Sequence, residues 1–417
     1  MSATTQIEAT YREEHGRILA ALISQFGDFT LAEDALQDAL VNALEHWKTD
    51  GIPRNPGAWL LTVARRRAID RIRHVATMES KTPEIELEAA VTDQDEPEMD
   101  DTIPDERLKL MFTCCHPSLA LEAQVALTLH TLGGLSTQEV ARAFLVPVPT
   151  MAQRLARARN KIRSAGIPFR VPPAELLPER LDALLAVIYL IFNEGYVATL
   201  GDTLTRHELC GEAIRLGRVL VELLPGPGSA EARGLLALML LHDSRRETRL
   251  DGAGELVLLE EQDRARWDRA KIQDGLAILD EAIGLYEPGP YQVQAAISAL
   301  HAEAQTAEAT DWQQIAALYD TLAVMNPSMV VEVNRAVAVA MARGAQVGLQ
   351  MLLRLDSQVD GYYPYHAARA DLLRRMKQWE AASEAYARAL SLCSNKTEHA
   401  YLQRRLDEML NLQDRGG

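Results

Sequence analysis

Residues 136–163 read STQEVARAFLVPVPTMAQRLARARNKIR, and no other stretch constrains the local fold so tightly. Ser136 and Glu139 have the S-x-x-E spacing of a capping box, so a helix starts there. Val140, Ala141 and Phe144 give that helix an apolar face. Pro147 and Pro149 are expected to stop it and force a short turn, after which Thr150 caps a second helix. At about 100° per residue, Met151, Leu155, Ala158 and Ile162 then share one narrow stripe that has to pack inward. Gln153, Ala156, Arg157 and Asn160 fall opposite that stripe, with Arg154 and Lys161 on one flank and Arg159 and Arg163 on the other. This is a helix-turn-helix in outline. Its exposed amide and guanidinium groups suit base edges in a major groove, and the flanking cations suit phosphates. Thr150, Gln153, Arg154, Arg157, Arg159, Asn160, Lys161 and Arg163 are therefore the candidate DNA contacts. A solvated basic helix after a proline turn would show the same pattern.

That basic helix sits in a chain of formal net charge -16. Overall acidity argues against indiscriminate polyanion binding but leaves a local patch open, and the charge is segregated. Glu84, Glu86, Glu88, Asp93, Asp95, Glu96, Glu98, Asp100, Asp101 and Asp105 crowd the stretch between Glu79 and Glu106, where Lys81 is the only basic residue. Residues 65–74 and the opening stretch are basic and flank it, so an acidic linker over 78–104 separates two basic modules. A solvated, disordered linker accounts for those carboxylates as well as a specific role does. At 417 residues there is room for several cored domains. Ala and Leu dominate while β-branched runs are sparse, so the expectation is an all-α protein. Met1 to Thr10 lacks the apolar core of a signal peptide. The longest apolar run, Ala183 to Phe192, is far short of the ~20 residues of a membrane span. Cysteines at 114, 115, 210 and 393 suggest no disulfide framework. A cytoplasmic protein without membrane association is expected.

The N-terminal segment repeats the helical period. Ile18, Leu19, Leu22, Ile23 and Phe26 mark a helix over 14–26, broken at Gly27-Asp28. LAEDALQDALVNALEHW (31–47) turns Ala32, Ala35, Leu36, Ala39, Leu40, Ala43 and Trp47 inward and leaves Glu33, Asp34, Gln37 and Asp38 outward. KTDGIPRNP (48–56) has loop composition. NPGAWLLTVARRRAIDRIR (55–73) is a further helix, basic towards its end.

AEDALQDAL resembles the region 2.2 helix of sigma factors, and NPGAWLLTVARRRAIDRIR resembles their regions 2.3–2.4. The stretch 136–163 is similar to region 4.2. Their order, joined by an acidic linker, resembles the extracytoplasmic-function (ECF) class over roughly residues 8–75 and 105–168. The resemblance implies that Glu33, Asp34, Gln37 and Asp38 dock on core RNA polymerase, although a solvated acidic face reads the same way. It also implies that 136–163 reads the -35 promoter element and 48–73 melts and reads the -10 element. Melting calls for an apolar wedge and backbone cations, and Trp59 with Arg65, Arg66, Arg67, Arg71 and Arg73 supplies them. Trp59 serves equally as core. By the same analogy Arg54 and Asn55 line a pocket for a flipped -10 base, and the linker threads the RNA exit path.

Residues 105–134 read as two helices broken at His116-Pro117. Cys114, Cys115 and His116 raise the question of a metal, but adjacent cysteines do not converge easily on one ion and no C-x-x-C accompanies them. Packing of two small thiols is the simpler account, and no cofactor or metal is expected. Pro168, Pro172, Pro173 and Pro178 mark a boundary, beyond which the chain runs on to residue 417. The segments 311–327, 345–361 and 378–395 begin 34 and 33 residues apart, aligning Trp312 with Trp379 and Tyr319 with Tyr386. NRAVAVAMARG (334–344) and ARADLLRRMKQ (368–378) occupy partner-helix positions. This period resembles tetratricopeptide repeats (TPR), whose groove implies a protein partner. In the less regular helical region ahead of the repeats, 175–260, Asn193, Glu194, Tyr196, His242, Asp243, Arg245 and Arg246 are candidates for a polar site. They lack any nucleophile motif, phosphate loop or metal spacing, which favours a structural network over catalysis, so the chain is not expected to be an enzyme.

The expected organisation is a sigma region 2 helical domain (1–77), the linker (78–104), a sigma region 4 helix-turn-helix domain (105–170), a helical extension (171–290) and TPR-like repeats (291–412). The expected function is an alternative sigma factor bound to core RNA polymerase and promoter DNA, with its C-terminal extension regulating it. LPERLDALLAVIYLIFNEGY (177–196) also resembles the segment that follows region 4 in sigma factors with such an extension. The competing reading is a stand-alone helix-turn-helix regulator with a TPR-type sensor, for which AEDALQDAL and AWLLTVARRRAIDRIR would have no use.

Overall fold

The computed structural model describes residues 3–49, 51–78, 103–144, 146–196, 204–224, 226–252, 254–355, 359–393 and 396–416. Nearly all of the acidic linker lies outside them. The chain divides into two compact units, 1–191 and 192–417. All regular structure among the described residues is helical, apart from one isolated bridge between Leu250 and Leu256.

In the first unit, α1 (Ala3–Phe26), α2 (Phe29–Thr49) and α3 (Pro56–Met78) form a three-helix module. Both α1 and α3 run further than their apolar spacing alone indicates. Gly27 adopts φ +68°, which ends α1. Asp28 then starts α2, its Oδ1 accepting the Thr30 and Leu31 N–H groups at 2.8 and 3.1 Å. Leu19, Leu22 and Ile23 of α1, Ala32, Leu36 and Ala39 of α2, and Leu60, Ala64 and Ala68 of α3 are buried at helical spacing and share one interior.

Four helices follow in the same unit: α4 (Ile103–Cys114), α5 (Leu121–Thr131), α6 (Thr137–Ala143) and α7 (Val148–Ser164). The capping box at Ser136 forms in both directions, with Ser136 N donating to Glu139 Oε2 at 2.7 Å and Glu139 N to Ser136 Oγ at 3.2 Å. One expectation is corrected. Helix α7 begins at Val148 with Pro147 as its N-cap, so Thr150 lies inside the first turn and caps nothing. First-turn N–H groups have no intrahelical partner, so Pro149 sacrifices no hydrogen bond there. Met151, Leu155, Ala158 and Ile162 form the buried stripe of α7.

Helix α1 lies against α4 and α5. A Cβ on Gly16 would stand 2.9 Å from the Leu132 carbonyl oxygen, so the bare glycine sets how closely α1 approaches the end of α5. Helix α8 (Leu177–Tyr196) contains the division between the units.

The second unit continues with α9 (Leu204–Leu223), α10 (Ala230–Asp243), α11 (Arg269–Gly284) and α12 (Pro290–Glu303). Buried from Leu235 to Leu241, α10 packs on α9, α11 and α12. An irregular segment, 244–268, joins α10 to α11. It is pinned internally by Trp267 Nε1 donating to Thr248 Oγ1 at 3.0 Å. Then come α13 (Trp312–Met325), α14 (Met329–Arg343), α15 (Ala345–Leu353), α16 (Tyr363–Arg375), α17 (Trp379–Leu392) and α18 (Lys396–Gly416). Glu260 and Glu261 of the irregular segment pair with Arg375 of α16 at 2.9 Å and Arg405 of α18 at 3.1 Å.

Helices α13, α15 and α17 begin at Trp312, Ala345 and Trp379, so the sequence period becomes a period of helix starts. Each packs on the helix that follows it. Helix α14 turns Val331, Ala338 and Val339 to one apolar cluster and Val333, Ala336 and Ala340 to the next, which makes the stack continuous. The aligned tyrosines differ: Tyr386 is 1% exposed while Tyr319 is half-buried.

Candidate nucleic-acid interface

Gln153, Ala156, Arg157, Asn160, Lys161 and Arg163 are exposed on α7, and Arg154 is half-buried with its guanidinium 5.5 Å from the Phe144 ring centre. A groove of about 370 Å³ opens between α7 and the start of α5. Thr150, Gln153, Arg154, Arg157 and Lys161 line one side, and Ser118 to Ala120 with Ala123 line the other. Five of the eight candidate -35 contacts thus converge on one concavity, which brings three cations and an amide to a shared face. Ser118 carried no signal in the sequence, because it enters the groove only through the packing of α5 on α7.

The remaining cations of α7 turn elsewhere. Arg159 Nη2 lies 2.8 Å from Glu33 Oε1, with the two side chains 17% and 14% exposed. Arg163 approaches Asp28 at 3.4 Å, and His130 Nε2 stands 3.8 Å from Glu33. Glu33 was expected to be an outward carboxylate on α2, and Arg159 an outward cation on α7; here each covers the other. Burial pushes the Glu33 carboxyl up to about 7, against the opposing pull of Arg159 and with help from Asp34 and Asp28. From the ordinary 4.5, that rise makes the ionised form cost on the order of 3 kcal/mol in this setting. Burial also lowers His130, and it pushes Tyr11 of α1, facing Glu33 and Glu139, up to about 12. Desolvation therefore outweighs attraction at this seam, as is common for buried ion pairs.

The other α2 carboxylates are engaged too. Arg71 of α3 bonds Asp38 at 2.8 Å and also Asp34, joining a candidate -10 cation to two candidate polymerase contacts. Gln37 is exposed. Asn55 Oδ1 accepts the Ala58 N–H at 3.1 Å and so caps α3, beside an exposed Arg54. Trp59 is half-buried and meets Trp47 edge-on at 5.5 Å. Arg66, Arg67 and Arg73 are exposed, with Arg67 donating to Asn42 Oδ1 at 3.2 Å, whereas Arg65 is half-buried and its pKa is lowered by desolvation. Cys114 and Cys115 are buried in the core, where burial raises Cys114 and pushes Cys115 up to about 12, leaving both as neutral thiols.

In the second unit the candidate polar residues divide. Asp243 is 2% exposed and bonds Arg246 at 2.8 Å and Lys271 at 2.8 Å. His242 Nε2 lies 3.0 Å from Ser298 Oγ and its ring 5.3 Å from Tyr196. Burial, then the charges of Arg245 and Arg249, hold His242 well below its usual range. The side chains of Asn193 and Glu194 join no hydrogen bond or ion pair among the described residues, and Glu194 faces solvent. Sequence reasoning missed Arg249, which donates to the Tyr196 carbonyl and stands 3.8 Å over the Tyr196 ring. It also missed Arg264, which donates to the Ala304 carbonyl at 2.8 Å. These arginines cap helix ends, a role that tertiary structure alone assigns. The cluster binds the irregular segment to its neighbours.

Known proteins match in the same order as these modules. A model described as Sigma-70 region 2 matches residues 10–77, and one described as Sigma-70, region 4, matches 109–162. A family of unknown function, DUF6596, matches 180–283. An uncharacterised protein, R00370 of Rhizobium meliloti, is 42% identical over 414 residues, 98% of this chain and 97% of the relative. The probable ECF RNA polymerase sigma factor SigI of Mycobacterium tuberculosis is 26% identical over 179 residues, 42% of this chain and 60% of that protein. No solved structure matches. With both sigma modules in order and a full-length relative, the chain belongs to the ECF-like sigma factors that carry a DUF6596 C-terminal extension.

Proposed function

We propose that this chain directs transcription initiation by binding core RNA polymerase and promoter DNA. Helix α2 offers Glu33, Asp34, Gln37 and Asp38 to the polymerase. Helix α3 and the loop before it, from Arg54 to Arg73, engage the -10 element, and α7 reads -35. The observation that carries the reading is the groove in which Gln153, Arg154, Arg157 and Lys161 share one open face. No helix among the described residues is long and apolar enough to cross a membrane, in keeping with a partner on the chromosome. The extension acts as the regulator, with its stacked helices taking a protein partner as TPR-like arrays do, while Asp243, His242 and their arginines serve as structure and not catalysis.

Run-off transcription with purified core polymerase and a promoter carrying both elements tests this. Full-length protein is expected to form a complex with core and start transcripts at that promoter. A folded protein that binds the DNA alone and never core would instead be a stand-alone regulator. Within a working complex, Arg157→Ala is expected to relax base preference at -35, and Lys161→Ala to weaken binding uniformly across sequences. Equal loss across all sequences for both variants would overturn the assignment of the reading face.

A further inference from the structure

The irregular segment between α10 and α11 has its own internal supports. Val257 N donates to the Arg249 carbonyl at 2.9 Å, Gln262 Nε2 to the Val257 carbonyl at 3.1 Å, and Thr248 Oγ1 to Gln262 Oε1 at 3.3 Å. With the Leu250–Leu256 bridge, these bonds hold 248–262 as a turn-rich strap. Its attachment to the last helices is of another kind. Glu255 pairs with Arg404 of α18, and Glu261 with Arg405 of α18 at 3.1 Å. Glu260 takes Arg375 of α16, whose Nη2 donates to its two carboxylate oxygens at 3.0 and 2.9 Å. The three glutamate side chains are 38 to 48% exposed. Among the described residues no backbone hydrogen bond crosses from the strap to α16 or α18, and none of Leu256 to Leu259 joins the apolar cluster that those helices share.

We propose that the arginine face of α16 and α18 is a docking site for an acidic segment of a partner protein, and that the strap is its resident occupant, which the partner displaces. The inference rests on the reading of the extension as a protein-binding array and names the face and the chemistry that it takes. The complement is already on the molecule, since three carboxylates of the strap satisfy three arginines. Exposed ion pairs are weak one by one, so the strap lifts off pair by pair while its internal bonds keep its shape. Its advantage is proximity, because a tethered segment acts at an effective concentration on the order of millimolar. A free acidic segment captures the face only when it binds more strongly than the strap or when the strap is already released. Carboxylate is favoured here over nucleic-acid phosphate. Arg375 also holds Asp371 at 2.7 Å, and Arg405 holds Glu408 at 3.0 Å. These two fixed carboxylates stay among the arginines when the strap leaves. The face then has positive charge enough for a few separate carboxylates and too little for a continuous run of phosphates.

A fluorescent peptide of residues 254–263, GELVLLEEQD, tests the site on the full chain. Replacing the strap carboxylates together, Glu255→Gln with Glu260→Gln and Glu261→Gln, is expected to free the face and to tighten peptide binding about ten-fold over the parent. Adding Arg375→Ala and Arg404→Ala is expected to abolish that gain. A peptide with glutamine at all three glutamates is expected not to bind. Glu255→Gln alone removes one pair at a side chain that is 48% exposed, and is expected to tighten binding about two- to five-fold. That single variant covers the case of a triple variant that does not fold. Equal affinity for the parent and the strap variants overturns the docking site. Undiminished binding of the glutamine peptide, or of the parent peptide after loss of the two arginines, overturns it as well. A strap variant that takes non-promoter duplex DNA through Arg375 and Arg404, and not the peptide, assigns the face to phosphate and overturns it equally. No arm contains polymerase, so failure here leaves the sigma reading standing, whereas failure of run-off transcription sinks that reading and leaves the face untouched.

Discussion

Two seams in this molecule are built on opposite principles. Between α2 and α7 the contact is a desolvated ion pair, Glu33 with Arg159, that burial works against. Between α14 and α15 it is made by a missing side chain: a Cβ on Gly348 would stand 2.4 Å from Ala340 Cβ and 2.5 Å from the Ala336 carbonyl oxygen. Close packing of small residues has no substitute partner in solution, so such a seam stays shut. An ion pair has many substitutes, from solvent ions to another protein, so it can be traded. The first unit holds both kinds of contact, since Gly16 packs against the Leu132 carbonyl in the same bare-glycine way.

The comparison breaks first at Gly348. Gly348→Leu is expected to cost about 3 kcal/mol by overpacking, read as a lower midpoint for the second unit in urea unfolding. A loss under about 1 kcal/mol would mean that the stack yields as readily as the polar seam.

The next effect is pH dependence in the first unit. Because the carboxyl of Glu33 is raised to about 7 from 4.5, the folded unit holds that proton more tightly than the unfolded chain. The stability it contributes is fully present below pH 4.5 and is lost as pH rises through 7. Glu33→Gln is therefore expected to flatten this slope, gaining about 3 kcal/mol relative to the parent at pH 8 and almost nothing at pH 4.5. Unfolding the pair of proteins at both pH values checks it; parallel slopes would place Glu33 in water. The smallest effect belongs to Arg163. Its side chain is 61% exposed beside Asp28, so Arg163→Ala is expected to leave unfolding stability within about 0.5 kcal/mol. A larger loss would show that the rim of the seam, and not its buried centre, holds it.

Local features were legible because their causes are local. The capping box at Ser136, the buried stripe of α7 and the spacing of the C-terminal helices each depend on residues within a few turns or one repeat. The start of α7 was misplaced because a proline in a first turn looks, in sequence, like a helix stop. The outward assignment of Glu33 and Arg159 rested on each helix considered alone, where both sit off the apolar stripe. Their meeting depends on how α1 seats against α5, and nothing in either helix encodes it. Arg249 and Arg264 stayed hidden for the same reason, since each caps a helix end remote from it in sequence.

The groove beside α7 also has a thermodynamic signature. Arg154, Arg157 and Lys161 face it, and on the proposed function each phosphate they neutralised would release counterions and steepen log K against log salt by about 0.9. Arg159 lies outside the groove, against Glu33 at 2.8 Å, and Arg163 stands exposed at 3.4 Å from Asp28. The three groove cations together would contribute a slope of about -3, roughly one step per cation. A salt titration of the parent and Lys161→Ala chains would then differ in slope by about 0.9, which tests whether the groove meets phosphate at all.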